Sequence, residues 1–242
     1  MLDRPAGTVQ VYWAPRSAAR DGWLPLLDPA ERRRHDAYRR REDRDRFLVG
    51  AVLVRLICAR ELSIEPARVR LDRGCPECGR PHGKVRLAAG QEPLELSVSH
   101  SGDWVVVAAC RSGAVGVDVE RISPTVDHTG VARIAFAAAE ATYLAGLPPD
   151  ARAAAFTRYW TRKEAVAKAL GEGLRTPLSA IEVSAPDQPA AVVAWSGRPE
   201  RLGTVRLHDL TDDERHRASL AVICPTEVRV IEHDATQLLG GA

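Results

Sequence analysis

Asp118 and Glu120 stand two residues apart in Gly116-Val117-Asp118-Val119-Glu120. On a strand, residues i and i+2 share a face, so the two carboxylates are presented together. Paired carboxylates at this spacing suit a hard cation such as Mg²⁺, which keeps open positions for water and a substrate phosphate. Val117 and Val119 mark a buried face, with the acids opposite; read alone, the pattern also fits an edge strand with acids on its wet side. A second stretch, Trp160-Thr161-Arg162-Lys163-Glu164-Ala165-Val166-Ala167-Lys168, puts Glu164 and Lys168 four apart on one helix face, with Trp160 beside them. This is either an ordinary surface ion pair or a third carboxylate with a cation for phosphate. In Leu96-Ser97-Val98-Ser99-His100-Ser101-Gly102 an alternating strand ends in hydroxyls and an imidazole, where side chains and backbone N–H groups can meet a phosphate. A hydrolase reading of Ser and His fails, because neighbours on an extended chain point apart and no GxSxG surrounds either serine. Gly83-Lys84 adds a possible phosphate cation.

The elements that must position these groups follow from periodicity. VQVYWAP near the start alternates as a strand. Asp28-Pro29 opens a helix, with Asp as cap and Pro at the first helical position. An arginine-rich amphipathic helix follows, and Phe47 to Leu62 is apolar at helical spacing and forms the buried helix of this half. Residues 72–93 are a long loop. Strands at 94–99 and 104–110 join through Ser101-Gly102-Asp103, and 114–121 is a third, giving an antiparallel meander over 94–121. Beyond Ser123-Pro124 come an Ala-rich helical stretch over 130–146 and a longer helix over 149–170 that ends at Gly171 and Gly173. Strands resume at 180–184, 190–195, 203–208 and 217–223. Strand, helices, strands thus occurs twice, which predicts an α+β chain of two halves, 1–122 and 123–242.

Composition limits the classes. The 242 residues are 45% hydrophobic and 27% charged, an ordinary globular balance. No stretch near Asp3 and Arg4 resembles a signal peptide, and no window reaches the ~18 apolar residues of a membrane span, so a cytoplasmic protein is expected. A net charge of +2 excludes a polyanion binder that works through its whole surface. Charge is uneven, however: residues 31–46 carry eight arginines against five acids. This is a salt-bridged helix face, or a phosphate site built on arginine's bidentate fork. Five scattered cysteines argue against a disulfide scaffold. Cys58, Cys110 and Cys224 lie in apolar runs; Cys75 and Cys78, with His82, are three potential zinc ligands or parts of a polar loop.

Taken together, these pieces resemble the Sfp-type 4′-phosphopantetheinyl transferases. That family carries a GxDxE strand and, some forty residues on, a W-x-x-K-E-A/S helix; here these are GVDVE at 116–120 and WTRKEA at 160–165, followed by GEGL at 171–174. LSVSHSGDWVVVA resembles the family's SHSG-x-W-V segment, and the arginine-rich stretch leading into FLVGAVLVR resembles its N-terminal helices. The match spans roughly 25–185 in order.

The resemblance implies a pseudo-dimer of two similar α+β halves with the active site at the interface between halves. It implies transfer of the 4′-phosphopantetheine arm of coenzyme A to a serine of an apo acyl or peptidyl carrier protein, releasing adenosine 3′,5′-bisphosphate. Asp118, Glu120 and Glu164 match its Mg²⁺ ligands, Mn²⁺ being possible. Glu164 is also the candidate base, and Lys168 contacts the pyrophosphate. Ser99 and His100 match residues that hold the 3′-phosphate of coenzyme A. Lys84 resembles the lysine of a GKP element with Val85 in place of proline, and Arg80 is its rival. Arg34 and Arg46 fall near positions that meet the nucleotide phosphates. The chain length favours the family's monomeric form, acting on carriers of polyketide, nonribosomal peptide or fatty-acid synthases, with no nucleic-acid or membrane partner. Two rival readings are a metal-dependent phosphodiesterase or nuclease, and a zinc-stabilised nucleic-acid-binding module.

Overall fold

The computed structural model describes residues 7–241 except 76, 77, 81, 82, 92, 173, 174 and 212. The chain forms two compact units: one comprises the chain up to Arg111 with the segment from Val230 onward, the other Ser112–Arg229.

In the first unit, strands β1 (Thr8–Pro15), β4 (Glu95–Ser101), β5 (Trp104–Cys110) and β11 (Arg229–Asp234) form one sheet in the order β11-β1-β5-β4. The two-residue turn Gly102-Asp103 joins β4 to β5, with Ser101 opposite Trp104 and Gly102 at φ +56°. Between β1 and β4, short strands β2 (Leu71–Asp72) and β3 (Arg86–Leu87) pair within the long loop. Asp28 caps helix α1 (Pro29–Ala37) as expected: its Oδ1 accepts from the N–H groups of Ala30 and Glu31 at 2.8 Å, and Glu31 Oε2 accepts from Asp28 N–H. Helix α2 (Arg41–Leu62) is buried throughout 47–59 and packs on β4 and β5. Arg55 in that buried stretch pairs with buried Glu31 at 2.5 Å, tying α1 to α2. The C-terminal helix α6 (Thr236–Gly240) returns to this core through Ala235 and Leu239.

In the second unit, β6 (Ala114–Arg121), β9 (Val205–Asp209) and β10 (His216–Ile223) form an antiparallel sheet in the order β6-β10-β9. A separate pair joins β7 (Ile181–Val183) and β8 (Val192–Trp195). The expected meander over 94–121 is thereby corrected, because 114–121 pairs with β10 and not with β5. Gly113 shows why: a Cβ there would lie 2.3 Å from the Ile223 carbonyl oxygen, so the chain is pressed against the end of β10 as it enters β6. The Ala-rich stretch is two helices, α3 (His128–Ala135) and α4 (Ala138–Gly146). They break at Phe136, whose ring joins the aromatic cluster of Phe156, Tyr159 and Trp160. Helix α5 (Pro149–Leu170) starts on Pro149, stops at Gly171 with φ +67°, and lies along the sheet.

Candidate active site

Alternation along β6 sends Gly116, Asp118 and Glu120 to one face, and that face meets α5. A Cβ on Gly116 would lie 2.0 Å from the Ala165 carbonyl oxygen and 2.3 Å from the Ala169 nitrogen, so only glycine lets the helix backbone lie this close. Asp118 is therefore not on a wet face; it is buried, 2% exposed, and accepts a hydrogen bond from Lys168 Nζ at 2.6 Å. Glu164, one helical turn before Lys168, is half-buried beside them. Burial, then the negative charge of Asp118, push the Glu164 carboxyl above the ordinary glutamate range, while Lys168 partly offsets them. Asp118, Glu164 and Lys168 thus come together as the spacing allowed. Glu120 stays on the same strand face, half-buried, two residues further along.

Among the described residues, no three His, Cys, Asp or Glu side chains form a group that could hold a metal ion as placed. The chemistry of Asp118, Glu120 and Glu164 nonetheless fits a hard divalent cation, because they offer carboxylate oxygens alone and the charge of Asp118 is felt at Glu164. Gly116 and Lys163 are two structural positions that spacing alone does not pick out. Lys163, fully buried, turns away from Glu164 and donates to Glu140 Oε2 at 2.6 Å, to Leu178 O at 2.9 Å and to Ile181 O. Glu140 in turn accepts from Val183 N–H and Ala137 N–H, each at 2.8 Å, so this pair locks α4 and β7 onto α5.

A cavity of about 340 Å³ is lined by Glu120, Arg121, Val126, His128, Phe156 and Trp160, among others. Trp160, noticed in the sequence only as packing, both stacks on Phe156 and lines this cavity. Most of its wall surface is apolar, with the charged Glu120 and Arg121 among the residues that line it.

In the first unit, Ser99 is buried and His100 exposed at the end of β4. Arg46 donates to the Gly102 carbonyl at 2.6 Å, close to both in sequence, and pairs with Asp43. Arg34 lies over the Phe47 ring, next in sequence to Arg46. Lys84 is ion-paired with Glu95 at 3.0 Å, and exposed Arg80 supplies the carbonyl that accepts from Cys75 N–H. Cys75 is half-buried and Cys78 exposed; His82 lies outside the described residues.

The model of the 4′-phosphopantetheinyl transferase superfamily matches residues 114–222, from β6 to β10, and that of the 4′-phosphopantetheinyl transferase N-terminal region matches 11–112. A phosphopantetheinyl transferase of Thraustochytrium sp. is 32% identical over 231 residues, covering 87% of this chain and 75% of the relative. The chain belongs to the 4′-phosphopantetheinyl transferase superfamily. The 4′-phosphopantetheinyl transferase HetI of Nostoc sp. is 33% identical over 75% of this chain and 72% of its own length. The transferase Sfp of Bacillus subtilis is 27% identical over 66% and 67%. The α+β class read from the sequence is the class observed, with a 22-residue helix packed on a sheet in each unit. The chain is thus an enzyme of the transferase class, and the phosphodiesterase and nucleic-acid readings gain no support. Among the described residues, no helix is long and apolar enough to cross a membrane.

Proposed function

We propose that this transferase moves the phosphopantetheine arm of coenzyme A to a serine of an apo carrier protein, with Asp118, Glu120 and Glu164 holding Mg²⁺ or Mn²⁺. The observation that carries the reading is the approach of Glu164 to Asp118 across the gap that Gly116 leaves. The cation supplies charge neutralisation at the pyrophosphate as the leaving phosphate departs. Glu164 is the candidate base for the proton of the attacking serine hydroxyl, directly or through water. Lys168, with 31% of its side chain exposed, can turn from Asp118 to the departing phosphate oxygens. The apolar cavity beside Glu120 offers room for the uncharged arm. Ser99, His100, Arg34 and Arg46, with Lys84 or Arg80, carry the chemistry for the nucleotide phosphates. We extend the reading to a cytoplasmic monomer serving carriers of polyketide, nonribosomal peptide or fatty-acid synthases.

Incubation with coenzyme A, Mg²⁺ and an apo carrier protein, followed by mass spectrometry of the carrier, tests this. A carrier that gains the arm supports it; no gain across several carriers refutes it.

A further inference from the structure

Helix α5 meets its sheet along a polar line. Asp118, Ser219 and Asp209 stand opposite one another across β6, β10 and β9, so all three share the face turned to α5. From the helix come Arg158, Thr161, Arg162, Ala165 and Lys168, at i, i+3, i+4, i+7 and i+10, which is one helical face. Each position of the row receives its own anchor. Lys168 donates to Asp118 at 2.6 Å. Thr161 and Ser219 exchange a hydroxyl hydrogen bond at 3.0 Å, and Ser219 Oγ donates to Asp209 Oδ1 at 3.2 Å. Arg162 grips Asp209 with Nε at 3.0 Å and Nη2 at 2.6 Å, and Arg158 lies 3.3 Å from the same carboxylate. The remaining Arg162 donors go to the carbonyls of Ser184, Ala185 and Gln188.

Such a line is a costly way to gain stability. Thr161, Arg162 and Ser219 are 0% exposed, and a buried charge cluster is often no more stable than an apolar core of the same shape. Its distinctive property is direction. Apolar contacts tolerate a slide, whereas a hydrogen bond weakens steeply once misaligned. A shift of α5 by one residue would move it about 1.5 Å and turn it about 100°, breaking every anchor and carrying Glu164 away from Asp118.

We infer that Ser219 and Asp209 are positioning residues for Glu164: with Thr161 and Arg162 they fix the register of α5, so that the third carboxylate faces the β6 pair. This inference rests on the proposed metal-dependent transfer. The test uses the full chain as Ser219→Ala and Asp209→Asn. Ser219→Ala removes one neutral hydroxyl and leaves Thr161 bonded to the Arg158 carbonyl and Asp209 to Arg162, so it decides the matter even if Asp209→Asn fails to fold. Mn²⁺ binding is followed by electron paramagnetic resonance with coenzyme A present, beside kcat and KM for the carrier and the melting temperature. The expected result is a half-saturating Mn²⁺ concentration raised roughly 10- to 100-fold, with the loss of activity in kcat rather than in KM. A folded Ser219→Ala with parental Mn²⁺ affinity and kcat, or one changed only in melting temperature, overturns the inference. If the parent chain itself binds no Mn²⁺ and transfers nothing, the underlying reading falls with it, which separates the two failures.

Discussion

Replacing Gly116 by alanine adds one methyl group where the structure leaves no room. The new Cβ would lie 2.0 Å from Ala165 O, 2.3 Å from Ala169 N and 2.9 Å from the Lys168 carbonyl carbon. All three are backbone atoms, so no side chain can rotate aside; β6 and α5 must separate, by roughly 1 Å or more, to restore ordinary contact. Overpacking of this kind costs about 1–3 kcal/mol, a fall in melting temperature of roughly 2–12 °C for a chain of this size. The same separation draws Lys168 from Asp118 and Glu164 from both, and a misplacement near 1 Å can cost about a hundredfold in rate. Thermal melting and the rate of arm transfer to an apo carrier at saturating coenzyme A measure the two effects. Gly203→Ala serves as the control, since nothing stands within 4 Å of a Cβ there. A Gly116→Ala protein with parental stability and rate would refute the claim that close approach of helix and strand builds the site.

Lys163→Met leaves Glu140 buried without its cation and is expected to cost about 3–5 kcal/mol in urea unfolding. Glu172, in the turn after α5, accepts from Arg198 and from Thr176, and these bonds, the Arg198 one first, hold its carboxyl below the usual glutamate range. A lowered folded pKa contributes stability above the unfolded value of 4.5 and loses it as pH falls through the folded value. Glu172→Gln should therefore melt below the parent at neutral pH, and the gap should close in a melting series taken down through pH 4.5 and lower. Chelation with EDTA should stop transfer, and added Mg²⁺ should restore it to the parent but not to a folded Asp118→Ala protein.

Much of the fold was legible because its elements carry strong local signals. Helix α5 runs over the predicted 149–170, bracketed by Pro149 and by Gly171, and Asp28 caps α1. The pairing of 114–121 was not legible. A glycine-containing turn before it allows a hairpin with β5, and only the distant β10, a hundred residues later, draws the strand into another sheet. Strand β11 is illegible for a similar reason: its partner β1 lies far away in the sequence, and its two apolar residues, Val230 and Ile231, are adjacent and both half-buried, so no apolar side stands out.

The site divides along the same line. Asp118 and Glu120 share a face by strand period alone, but no period says whether that face meets water or a helix. Here Gly116 was the overlooked signal, since a side-chain-free position two residues before the first acid marks where a backbone can approach. Lys163 and Glu164 pose the sharper problem. They are neighbours of opposite charge about 100° apart around α5, and either could have been the residue turned inward. Lys163 follows Phe156 and Tyr159 at i+7 and i+4, a face that is buried, so an ammonium there must find a carboxylate. Glu140 supplies it from another helix. With Lys163 committed to that pocket, helical geometry leaves Glu164 facing β6, and the direction of the third carboxylate follows from the partner of its neighbour.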